Sequence, residues 1–124
     1  MIEEKNRVYG KTKVYTIDEL RSIFSSKSFE FVKVVVLFGS RARGDNSVRS
    51  DYDFAMLFDK RFDDGWGVKS KAFIAIQDEF GFGDKDFDIV DIESADRVVK
   101  NSILESFVVL KGTEDEIRRL FAKE

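Results

Sequence analysis

Asp51 and Asp53 stand two residues apart at the start of an apolar run, shortly after the turn sequence Gly39-Ser40. On a β-strand, residues i and i+2 point to the same face, so both carboxylates would converge on one site. Two neighbouring carboxylates repel each other unless a cation lies between them. Oxygen-only ligands of this kind suit Mg²⁺, Mn²⁺ or Ca²⁺. Gly39 ends the apolar run from Lys33 to Phe38. Glycine there permits a positive φ and close approach of the backbone to a ligand. A short helix beginning near Ser40 would turn its first N–H groups toward an anion such as a phosphate. Arg41 and Arg43 could grip phosphate oxygens or serve equally as solvated loop charges. Gly-Ser alone is an ordinary strand-ending turn; its conjunction with the aspartate pair is what points to metal-assisted phosphate chemistry.

A third carboxylate is expected from a neighbouring strand. Asp86 and Asp88 share one parity, and Asp91 has the other. Asp88 falls inside the strand between Phe87 and Ile89, where a carboxylate is costly without a partner or a cation. Asp86 lies nearer the loop and is expected to be solvated. Asp91 takes Asp88's place if the register is shifted by one.

Composition removes most other chemistries. The chain has 124 residues and a formal net charge of −3, with no His, Cys or Pro. Without His there is no Ser-His-Asp triad and no imidazole base. Without Cys there is no thiol nucleophile, no disulfide and no ordinary zinc site. The mild acidic balance gives no general reason to bind nucleic acid. No apolar run approaches the roughly 20 residues of a membrane span. A single domain over residues 1–124, soluble and cytoplasmic, is the expectation. A P-loop signature is missing, and Asp84-x-Asp86-x-Asp88 fails as a calcium loop because Ile89 replaces the required glycine.

The elements that must carry these residues follow from periodicity. Residues 1–15 are polar and suggest an edge hairpin or arm. Thr16 and Glu19 form a capping box ahead of Leu20, Ile23 and Phe24. Strands are expected over Lys33–Phe38, Tyr52–Phe58, Phe87–Ile92 and Phe107–Leu110. Asp59–Gly67 reads as a loop. A second helix carries Val68, Ala72, Ala75, Ile76 and Phe80 and ends near Gly81 or Gly83. A third is expected to be capped by Ser94 and to bury Ala95, Val98, Val99 and Ile103. Thr113 and Glu116 suggest a capping box for a last helix. This order gives an α/β (α+β) fold, a mixed sheet of about four to five strands flanked by helices.

Gly39-Ser40, ten intervening residues and Asp51-x-Asp53 together resemble the nucleotidyltransferase superfamily typified by DNA polymerase β. The local string is most similar to its minimal nucleotidyltransferase branch, small proteins often encoded beside a HEPN-domain partner. The resemblance implies that Gly39 and Ser40 hold the triphosphate of an NTP. It implies that Asp51 and Asp53 bind two divalent ions, Mg²⁺ or Mn²⁺, and that Asp88 binds the catalytic one and helps activate an attacking hydroxyl. It further implies transfer of a nucleoside monophosphate, AMP from ATP, to an acceptor such as a tyrosine of a HEPN-type partner. A non-catalytic antitoxin or nucleotide-sensing subunit, and an enzyme acting on an antibiotic-like small molecule, are the alternatives. An oligomer is compatible with any of them.

Overall fold

The computed structural model describes residues 14–44, 51–63 and 65–122. The expected N-terminal hairpin or arm therefore lies almost entirely outside the described residues. Helix α1 (Ile17–Phe24) opens as its sequence requires. Thr16 Oγ1 accepts from the Glu19 N–H at 3.1 Å, and Glu19 Oε1 accepts from the Thr16 N–H at 2.8 Å. These reciprocal bonds satisfy two donors that a helix start leaves open. Leu20 and Phe24 then enter the core.

Strand β1 (Val32–Phe38) is one of the two inner strands of the sheet. It is followed by a four-residue helix α2 (Ser40–Arg43) and by β2 (Tyr52–Phe58). Next come α3 (Val68–Phe80), β3 (Phe87–Asp91), α4 (Arg97–Glu105), β4 (Phe107–Lys111) and α5 (Glu114–Ala122). The strand order is β3-β2-β1-β4. β1 pairs antiparallel with both β2 and β4, whereas β2 and β3 are parallel and joined through α3. A parallel pair needs such a crossover because its strands start at the same end.

The two faces of the sheet carry separate cores. Leu37, Phe54, Met56 and Ile89 pack with Phe24 of α1 and with Ala72, Ile76 and Phe80 of α3. Val34, Val36 and Ala55 pack with Ile103 of α4 and with Ile117 and Phe121 of α5. The register shifts between Val32 and Val34, leaving exposed Lys33 as the extra residue of a bulge. That shift lets Val32 and Val34 serve opposite cores. Phe24 anchors the first core through edge-on contacts with Phe29 and Phe54, at centroid distances of 4.8 and 5.2 Å.

Two local expectations need correction. The third helix is capped by Asp96, whose Oδ1 accepts from the Val99 N–H at 2.9 Å, and not by Ser94. Ser94 instead ends a 3-10 turn that carries Ile92 into the core. Val98 is 77% exposed, so the buried stripe of α4 runs through Val99 and Ile103. The final capping box is formed, with Thr113 Oγ1 accepting from the Glu116 N–H and Glu116 Oε1 from the Thr113 N–H. Among the described residues no helix is long and apolar enough to cross a membrane.

Candidate active site

Asp53 is the second residue of β2, and its two strand neighbours define the site. On one side it lies opposite Phe38, the last residue of β1. On the other it is in register with Asp88 of β3. Parallel neighbours in register share a face, so the two carboxylates project together, on the same side as Ala55 and Val90. Asp51 precedes β2 and is exposed. Asp91 pairs with Met56, one parity away from Asp53, and its Oδ1 accepts from the Glu93 N–H at 3.0 Å.

Gly39 follows Phe38 directly and has φ 77° and ψ −158°. That region is essentially confined to glycine. A Cβ at this position would collide with the Asp53 carboxylate. Both the conformation and the space therefore demand glycine. The N–H groups of Ala42 and Arg43 donate to the Gly39 carbonyl at 3.1 Å, and that of Gly44 to Ser40 O at 3.0 Å. Ser40 N–H takes no part in these bonds, and Ser40 itself is half-buried at the mouth of the turn.

Electrostatics tie the cluster together. Burial pushes the Asp53 carboxyl above its ordinary value; Asp88 and then Asp51 push it further, and Arg43 pulls it back. Neighbouring negative charge of this kind favours either a proton or a metal ion. Arg41 lies with its guanidinium carbon 4.3 Å from the centre of the Tyr52 ring. Tyr52 is buried, stacks on Phe54 and Phe82, and accepts a 3.0 Å hydrogen bond at its hydroxyl from the Tyr15 N–H. It is a fixed platform under Arg41. The sequence offers only one hint of that, an aromatic residue between the two aspartates.

Asp86 departs from expectation. It is 1% exposed rather than solvated, and its Oδ2 accepts from the Gly83 N–H at 2.7 Å. Its carbonyl accepts from the Tyr52 N–H at 2.9 Å. Asp86 thus closes the turn before β3 and seats the start of β2, while Asp88 is exposed beside Asp53.

Among the described residues no three acidic, His or Cys side chains form a ready-made metal cage. The donor set still fits Mg²⁺, which binds through one or two carboxylates, waters and substrate phosphates rather than through a protein cage. A groove of about 730 Å³ beside β4, lined by Arg21, Val109 and Lys111 among others, contains none of these carboxylates.

Comparison with known proteins identifies the family and the fold. The family described as polymerase beta, nucleotidyltransferase matches residues 18–116. A protein adenylyltransferase MntA from Aphanizomenon flos-aquae (strain 2012/KM1/D3) is 46% identical over 50 residues, covering 39% of this chain. That stretch spans only 33% of the relative's length. A solved toxin–antitoxin structure with AMP-PNP superposes with a TM-score of 0.64 at 21% identity, over 88% of this chain and 83% of that one. A tri-AMPylated Shewanella oneidensis HEPN toxin in complex with its MNT antitoxin gives a TM-score of 0.58 at 20% identity, over 86% and 78%. Likenesses at that level of identity establish the fold.

Proposed function

This chain belongs to the polymerase beta nucleotidyltransferase family, and from that premise we propose that it transfers AMP from ATP to a hydroxyl group on a partner protein of the HEPN type. The observation that carries the proposal is the in-register pair Asp53 and Asp88, with Gly39 packed against Asp53 and Asp51 acting on it from the strand start. The relative named for protein adenylylation supports the choice of AMP and of a protein acceptor.

Asp51 and Asp53 would hold two divalent ions, Mg²⁺ or Mn²⁺, with Asp88 as the third ligand. Cations bound there would neutralise the triphosphate and the charge developing on the attacking and leaving oxygens. The rest is the work of the chain itself. The Gly39-Ser40 turn lets the phosphates approach the backbone, where a side chain would block them. Arg41, braced on Tyr52, and Arg43 supply positive charge to the phosphate oxygens. Asp88 is the exposed member of the pair and receives the proton of the acceptor hydroxyl. With no His in the chain, a carboxylate is the available base. The bond from the acceptor oxygen to the α-phosphorus forms, the bond from that phosphorus to the bridging oxygen breaks, and pyrophosphate leaves.

The test is transfer of label from α-labelled ATP with Mg²⁺ and the neighbouring gene product. Wild type is compared with the double variant Asp51→Asn/Asp53→Asn. A labelled protein that vanishes in the variant supports the reading; equal labelling by both overturns it. A second reading is a subunit that silences its partner by contact alone, supported by the likeness to solved toxin–antitoxin complexes. Silencing that proceeds without ATP or metal would select it.

A further inference from the structure

Helix α3 carries its charges the wrong way round for a helix standing alone. Lys69 and Lys71 lie in its first turn and Asp78 and Glu79 in its last, with no acid at the start and no base at the end. The helix dipole prefers the opposite arrangement. Lys71 and Asp78 are seven residues apart, about 10 Å along the axis, too far to pair within one helix. Between them Ile74 is 59% exposed. Ile74, Ala75 and Asp78 line a groove of about 370 Å³ with Phe31 and Lys71. Lys71 is held at the rim, its Nζ donating to Phe62 O at 3.1 Å and lying 5.5 Å from the Phe31 ring centre.

An antiparallel copy of the same helix resolves the conflict. With the two-fold axis between residues 74 and 75, Lys71 faces Asp78 of the second copy and Ile74 faces Ala75 of the second copy. The Lys71–Asp78 pair then forms twice, once on each side of the axis, and the exposed isoleucine enters the partner's groove. A two-fold contact needs this self-complementarity, one patch serving both sides. We propose that the outer face of α3 is a homodimer interface, built on Ile74 and on reciprocal Lys71–Asp78 pairs. One helix pair buries less than the roughly 1,200 Å² of a standard interface, so the dimer dissociates on dilution. The buried side of α3 covers the core opposite to the Asp53 face. The interface therefore leaves the site open, and this inference stands apart from the transfer reading.

Sedimentation velocity of the full chain over roughly 10 µM to 1 mM tests it, a range that reports weak association. The expected result is a passage from the 14.3 kDa monomer to twice that mass. Ile74→Asp and Asp78→Lys should each weaken association by about tenfold or more, with thermal unfolding near that of wild type. Adding Lys71→Glu to Asp78→Lys should restore it to within about threefold, because the charges are exchanged rather than lost. Monomer at every concentration overturns the proposal and leaves the face to another partner. A dimer indifferent to Ile74→Asp and Asp78→Lys overturns it too. Failure of the double exchange to restore a dimer lost in Asp78→Lys overturns the proposed charge register.

Discussion

The carboxylate of Asp53 fills the space that a side chain at Gly39 would need. The Asp53 carboxylate thus keeps its place at the start of β2 only when residue 39 has no Cβ. Gly39→Ala is expected to cost about 1–3 kcal/mol from backbone conformation alone, and to displace Asp53. Transfer should fall at least tenfold even at temperatures where the variant is folded. Thermal unfolding together with label transfer checks both halves.

Asp53 bears an ionisation cost in the folded chain. Its folded pKa is raised above the unfolded value of 3.8, chiefly by burial and then by Asp88 and Asp51. The folded state therefore binds the proton more tightly, and stability falls as pH rises from about the unfolded value through the folded one. Asp53→Asn should lose transfer by about 10²-fold or more. It should also unfold at a higher temperature than wild type at pH 7, with the difference shrinking as pH is lowered through that window. A variant less stable at pH 7 would contradict this account.

Arg41 depends on the ring beneath it. A cation over an aromatic face contributes about 0.5–2 kcal/mol. Tyr52→Leu should raise the KM for the nucleotide roughly threefold to tenfold, in line with that energy. Tyr52→Phe retains the ring and loses only the hydroxyl contact to Tyr15, so its KM should stay near wild type. Steady-state kinetics on the two variants separates the platform from a general packing defect, which would affect both.

Asp59 gives an acid-range signature far from the site. Its carboxylate receives Arg61 Nε at 3.0 Å and Nη2 at 2.6 Å, and the Arg61 N–H at 3.1 Å. The bonds from Arg61 hold its pKa down at about 2. A lowered carboxylate pKa contributes stability that is present above the unfolded value of 3.8 and lost as pH falls through about 2. Denaturant titrations at pH 2–5 should show wild type losing this increment on acidification and Asp59→Asn lacking it throughout.

Local hydrogen bonding was the most legible part of the chain. The Thr16–Glu19 and Thr113–Glu116 boxes need only residues three apart, and both form. Where two short polar residues compete for one helix start, the choice between Ser94 and Asp96 turns on where Ile92 must be buried, which no local pattern contains. Asp86 is hidden for the same reason. Its place against Gly83 and Tyr52 exists only once β2 and β3 are paired. Period-two parity separates Asp88 from Asp91 within β3, but only the β2–β3 register puts Asp88 beside Asp53. The approach of Gly39 to Asp53 and the seating of Arg41 on Tyr52 depend on the β1–β2 register, a relation between segments remote in sequence.

The parallel pairing of β2 with β3 also makes the site depend on contacts of two different ranges in sequence. Gly39 meets Asp53 through an antiparallel neighbour, across a short stretch of chain. Asp88 reaches Asp53 only after α3 has been made and the crossover has closed. Such non-local closure is slow compared with local pairing. The site is therefore complete only when both the antiparallel and the parallel neighbour of β2 are in place. Chemistry that needs all of these residues would begin only when the polypeptide beyond β3 has been synthesised and packed, which ties the onset of activity to completion of the fold.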